Sequence, residues 1–96
     1  MGREVIWSPR SRADLQSIFD FIAKDSVRYA QHTIDRIFKI ADGIPDFPLL
    51  GRIVPEFEVP TIRERIMGNY RIVYRVKDTE IQILTVHHSA RLMGDL

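Results

Sequence analysis

The apolar residues of this 96-residue chain repeat at two different periods, and the change falls inside one proline-rich stretch. Four of the five prolines, Pro45, Pro48, Pro55 and Pro60, stand there together with Gly51. They forbid long regular structure. Before them the apolar period is helical, and after them it is two. A chain patterned this way reads as a helical layer followed by an antiparallel sheet, an α+β domain.

The helical half has its own punctuation. Arg3 to Trp7 (R-E-V-I-W) is a short opening strand of β-branched and aromatic residues. Ser8-Pro9 then predicts a helix start, with Ser as N-cap and Pro at the first helical position. Leu15, Ile18, Phe19 and Ile22 follow at helical spacing. Asp25-Ser26 interrupts, and Ser26 can cap a second helix. There Ala30, Ile34, Ile37, Ala41 and Ile44 form a stripe, with Val27, Phe38 and Ile40 beside it. Two amphipathic helices joined by a tight turn make a helical hairpin. Trp7, Phe19, Phe21 and Phe38 lie in these patterns and are expected in the core, while Tyr29, His32 and Phe57 are unassigned.

The proline-rich stretch is too short and too apolar for an interdomain linker, since it carries Phe47, Leu49, Leu50, Ile53, Val54 and Phe57. It is expected to pack on the body as a loop. Beyond it Ile62, Glu64 and Ile66 alternate with Arg63 and Arg65, and Gly68-Asn69 is a turn. Tyr70, Ile72, Tyr74 and Val76 alternate with Arg71, Val73 and Arg75. Lys77-Asp78-Thr79 is a second turn, and Glu80 to His88 a third strand. The expected layout is β-α-α-β-β-β in a single domain over residues 1–96, with the three last strands an antiparallel meander.

Composition narrows the chemistry. With no cysteine there is neither a disulfide framework nor a thiolate metal site. No apolar run approaches a membrane span and no signal-peptide core is visible, so a cytoplasmic protein with no membrane partner is expected. The P-loop, dinucleotide and zinc-protease motifs are absent, and no metal or cofactor is expected. Net charge is only +1, but from Arg63 to Arg75 four arginines face one acid, Glu64. A local basic patch in a nearly neutral protein follows.

That patch is the first candidate for chemistry. Alternation puts Arg71 and Arg75 on one face of their strand. If Arg63 and Arg65 share it across the hairpin, four guanidiniums form a plateau for phosphates or carboxylates. Otherwise they are the solvated outer face of a small sheet. His87 and His88 can each act as an acid or base, and alternation sends them to opposite faces, so at most one joins the plateau. Glu56, on the constrained loop after Pro55, can act as a base toward a ribose 2′-hydroxyl, or can simply pair with Arg52 or a strand arginine.

Taken together, W-S-P-R-S-R-A-D-L (Trp7 to Leu15), D-S-V-R-Y-A (Asp25 to Ala30), G-R-I-V-P-E (Gly51 to Glu56), Arg63-Glu64, Y-R-I-V-Y-R-V (Tyr70 to Val76) and V-H-H-S-A-R (Val86 to Arg91) resemble the RelE/ParE superfamily. The resemblance covers nearly the whole chain in order. It implies two helices on a curved antiparallel sheet, and the toxin of a type II toxin–antitoxin module of the plasmid-stabilisation kind. It also implies a cognate antitoxin that silences the toxin, with operator DNA bound only through that antitoxin.

The superfamily divides by target. RelE-like members cut mRNA on the ribosome without metal, and ParE-like members poison DNA gyrase without being nucleases. For the first branch the resemblance marks Arg71 for the scissile phosphate, His88 at the end of the last strand and Arg91 in the closing motif. Arg65 serves as support, and Glu56 stands where YoeB-type members carry an acidic base. The chain departs from RelE itself in lacking the lysine pair before the meander, and no tyrosine follows Tyr74. Its W-S-P-R and D-S-V-R-Y-A segments are closer to ParE. In the second branch the arginines and residues 91–96 form a protein-binding surface.

Overall fold

Two serines start the two helices. Ser8 is extended, and its hydroxyl oxygen accepts the Ser11 N–H at 3.0 Å. Pro9 takes the first position of helix α1, Pro9–Ala23. Ser26 repeats the arrangement for α2, Val27–Gly43, accepting the Tyr29 N–H at 3.0 Å. Each cap satisfies one of the N–H groups that a helix start leaves without an internal partner. The computed structural model describes residues 2–88.

The strands are β1 (Glu4–Trp7), β2 (Arg52–Ile53), β3 (Ile62–Met67), β4 (Tyr70–Val76) and β5 (Glu80–His88), in sheet order β1-β5-β4-β3-β2. The meander β3-β4-β5 is antiparallel, as its turns predict. β1 joins it parallel to β5, with Val5 opposite Ile81 and Trp7 opposite Ile83. The helical hairpin is the connection that lets β1 run parallel to a strand far along the chain. The proline-rich stretch is not wholly irregular. It holds a 3-10 turn, Ile44–Asp46, and the two-residue β2, which adds an edge beside β3.

Period two splits the sheet residues between two clusters. On the helix side, Ile72, Tyr74, Ile81 and Ile83 meet Leu15, Ile34, Ile37, Ala41 and Ile44. The whole predicted α2 stripe is buried there, and each large aliphatic side chain contributes roughly 2 kcal/mol. On the opposite side, Val54, Ile62 and Val73 form a small cluster, flanked by Phe57 and Leu84. Phe57 therefore folds the proline-rich loop back over the sheet. Leu84 is the extra residue where the β4-β5 register shifts.

Two aromatic expectations fail. Phe21 is 70% exposed. It borders an open cleft of about 590 Å³ between α1 and the ends of β4 and β5, lined also by Ile18, Tyr70, Val86 and His88. Its ring instead meets the Lys24 ammonium at 5.8 Å. Phe38 is also exposed, but its ring packs edge-on against Trp7 with centroids 5.0 Å apart. Tyr29 and His32 lie exposed on α2.

Candidate functional site

The two-residue turn decides where the arginines go. Gly68, at φ +56°, and Asn69 join β3 to β4 so that Met67 faces Tyr70. Odd positions of β3 then oppose even positions of β4: Arg63 faces Tyr74 and Arg65 faces Ile72, while Glu64 faces Val73. A register fixed by a tight turn assigns every side chain to a face at once. Arg63 and Arg65 stand on the helix side; Arg71 and Arg75 stand on the other. The four-arginine plateau does not form.

What gathers around Arg71 is a set of carboxylates. Its Nε donates to Glu64 Oε1 at 2.6 Å. Its Nη1 and Nη2 donate to the two oxygens of Glu56 at 2.7 and 2.8 Å. On the far side of Glu64, Arg52 Nε donates to Oε2. Two guanidiniums and two carboxylates thus alternate and their charges cancel. The Glu64 side chain is 0% exposed, that of Arg71 9% and that of Glu56 35%. Hydrogen bonds from Arg71 hold the Glu56 carboxyl down at about 2. The same two partners push the Arg71 guanidinium further up.

Backbone geometry brings Glu56 to this point. The Phe57 and Glu58 N–H groups both donate to the Val54 carbonyl, at 3.1 and 3.0 Å. Glu58 closes that turn at φ +55°, a left-handed conformation that disfavours a side chain bearing Cβ. The turn seats Phe57 on the small cluster and aims Glu56 at Arg71.

A second set of bonds pins the earlier part of the loop. Tyr74 is fully buried on β4, and burial raises its phenol. Its hydroxyl donates to the Pro48 carbonyl at 2.7 Å and accepts the Gly51 N–H at 3.3 Å. A Cβ at position 51 would fall 2.5 Å from that hydroxyl and 2.6 Å from the Glu64 carbonyl oxygen, so only glycine fits. Arg63 donates to the carbonyls of Leu49, Gly51 and Pro60 at 3.1, 3.1 and 2.8 Å. This arginine is a clamp for the loop.

The remaining candidates are dispersed. His88 faces Tyr70 on the helix side, and the two rings meet edge-on at 5.5 Å. It is separated from Arg71 by the sheet. The histidine across from Arg71 in register is His87. Arg75 is exposed, between Ile62 and Gln82. Arg91 lies outside the described residues. Glu56 pairs with a strand arginine, Arg71.

The residue that sequence reasoning passed over is Glu64. It breaks the apolar alternation Ile62-Glu64-Ile66, and a carboxylate in an inward series is the signal of a buried ion pair. Asp14 was passed over too. Its carboxylate accepts the Thr85 hydroxyl and the Val86 N–H, the latter at 3.1 Å, and ties α1 to β5.

Two helices on one face of a five-stranded, mostly antiparallel sheet are the architecture of the RelE/ParE toxins. Residues 5–93 match the family described as ParE toxin of type II toxin-antitoxin system, parDE, and the chain belongs to that family. It is the toxin of a type II toxin–antitoxin module. Toxin RelE2 of Caulobacter vibrioides is 34% identical over 90 residues, covering 93% of this chain and 98% of that one. The chromosomal ParDE system of P. aeruginosa superimposes with a TM-score of 0.75 at 25% identity, over 90% of this chain and 95% of that one. The RelBE2 toxin-antitoxin complex of Mycobacterium tuberculosis shares the fold, with a TM-score of 0.66 at 24% identity over 92% of this chain and 99% of that one.

Proposed function

We propose that this toxin stops growth by binding a protein target, DNA gyrase by its ParE-type sequence, and not by cutting RNA. A cognate antitoxin holds it silent until released. The observation that carries this reading is the occupation of three of the five Arg71 N–H donors by the Glu56 and Glu64 carboxylates. Stabilising a phosphorane needs donors aimed at the phosphate and otherwise unoccupied. A phosphate taking the Nη1/Nη2 edge of Arg71 would have to displace a bidentate carboxylate, and on any edge it would sit beside two carboxylates at one guanidinium.

Metal-independent mRNA cleavage is the second reading. One observation favours it: Glu56, Arg71 and, by register, His87 share the face opposite the helices. In that reading Arg71 would hold the phosphate, with Arg65 or Arg91 as support, and Glu56 or His88 would take the 2′-hydroxyl proton. A carboxylate held at about 2, however, is a weak base at neutral pH.

Brief induction of the toxin in a bacterial cell, followed by mRNA integrity and plasmid supercoiling, separates the readings. The expected result is intact mRNA with altered DNA topology, in wild type and in Glu56→Gln alike. Codon-phased cuts that disappear in Glu56→Gln would establish the nuclease and overturn the poison.

A further inference from the structure

The loop that Tyr74 and Arg63 pin down turns its polar groups inward and its largest apolar side chains outward. Phe47, Leu49 and Leu50 are 68%, 59% and 65% exposed, and Ile53 beside them on β2 is exposed as well. Apolar side chains scattered singly over a surface need no explanation, but four within seven residues form a patch. The carbonyls of Pro48, Leu49 and Gly51 all accept hydrogen bonds from Tyr74 or Arg63. Gly51 has no room to move. The patch is therefore held in one shape before anything binds, and little ordering entropy opposes its use.

Charge specifies what fits. Between Ile44 and Pro55 the only acid is Asp46. Ile53 stands opposite Arg63 across the β2-β3 pair, and Arg65 lies two residues further along β3, so Ile53, Arg63 and Arg65 share one face at this edge of the sheet. Arg63 is committed to the loop carbonyls. Arg65 has no ion-pair partner closer than 4 Å among the described residues. An apolar patch rimmed by a guanidinium without a carboxylate suits an apolar segment that brings one.

We infer that the corner formed by Phe47, Leu49, Leu50, Ile53 and Arg65 is where the toxin grips its protein target. The segment it takes would carry aliphatic or aromatic side chains next to an aspartate or glutamate. This rests on the protein-binding reading above and names the surface that reading requires.

The test uses the full chain, with Leu49→Ser/Leu50→Ser in one variant and Arg65→Glu in another. Leu49 and Leu50 are exposed and Arg65 is partly exposed, and Arg65→Glu keeps the test decisive should the double variant lose stability. Growth inhibition on induction, binding of the purified cognate antitoxin and the melting temperature are measured together. Each variant is expected to lose about tenfold or more in growth inhibition, with antitoxin affinity and melting temperature unchanged. Undiminished toxicity would overturn the inference. So would loss of antitoxin binding alongside toxicity, which would give the corner to the antitoxin, or a shift in oligomeric state, which would give it to a second copy. Failure of the protein-binding reading itself would show separately, as cut mRNA in the wild type.

Discussion

Glu56 and Glu64 hold the same arginine under different conditions. Glu64 has no exposed side-chain surface and lies between two guanidiniums, whereas Glu56 reaches Arg71 from a loop and stays partly in water. The difference sets what each can report. The Glu56 carboxyl falls from an ordinary 4.5 to about 2 on folding. A group whose folded value is depressed adds stability above its unfolded value and loses it as the pH falls through the folded one. The contribution of Glu56 is therefore complete above about pH 4.5 and disappears toward about pH 2. Urea titrations of wild type and Glu56→Gln should give stabilities that differ at pH 7 and converge through that acid window. A gap that persists at pH 2 would mean that Glu56 acts through packing, not through its charge. Its partial exposure keeps the gap small, because solvent screens the pair.

At the scale of elements, the two N-caps look alike and are not. The Ser26 hydroxyl caps α2, and its N–H donates to the Ile22 carbonyl at 3.0 Å within the same helical hairpin. Ser8 caps α1 while its hydroxyl donates to the Leu84 carbonyl at 2.9 Å and its N–H to Ile83 at 3.0 Å. It fixes the helix to β5 as well as starting it. Alanine at an N-cap costs about 1 kcal/mol, and an orphaned carbonyl adds a further increment of about 1 kcal/mol. Ser8→Ala should lower the unfolding free energy about twice as far as Ser26→Ala, read by chemical denaturation. Equal losses would show that water replaces the Leu84 bond. Local signals of this kind are why the helices, the turns and the meander were legible in the sequence: each depends on residues a few positions apart. The pairing of β1 with β5 was not legible, because no short-range pattern chooses between the two edges of a meander. Nor was β2, two residues whose pairing needs Gly51 tucked under Tyr74. The candidate site was legible in its parts and not in its assembly. Arg71 and Glu56 could be picked out by type and position. The split of the arginines between faces depended on the one-residue register set at Gly68-Asn69, which alternation within a single strand does not reveal.

The whole molecule is a sheet with unequal sides. One face carries both helices and the main cluster; the other carries three buried aliphatic residues under a loop. For a chain of this size the first must supply most of the stability. The second is a local closure, held by Phe57, the Val54 turn and the Glu56–Arg71 pair. Regions with few buried apolar contacts open at less than the global free energy. Hydrogen exchange should therefore separate the two. The Val54 and Glu58 amides, which donate to Ile62 and to Val54 itself, should exchange well ahead of those at Ile72 and Ile83. In Glu56→Gln the loop amides should speed up by less than about tenfold, the effect of losing a solvent-screened pair on a local opening. Strand amides that exchange through global unfolding should speed up by the same factor, because the pair is lost in that opening too. Should loop and strand amides share one opening free energy in the wild type, the loop belongs to the cooperative unit. Arg71 would then be covered for as long as the protein is folded. If the loop amides open at a lower free energy, Arg71 is uncovered from time to time in the native toxin. An anion could then reach it only in that open fraction, and its affinity would fall in proportion.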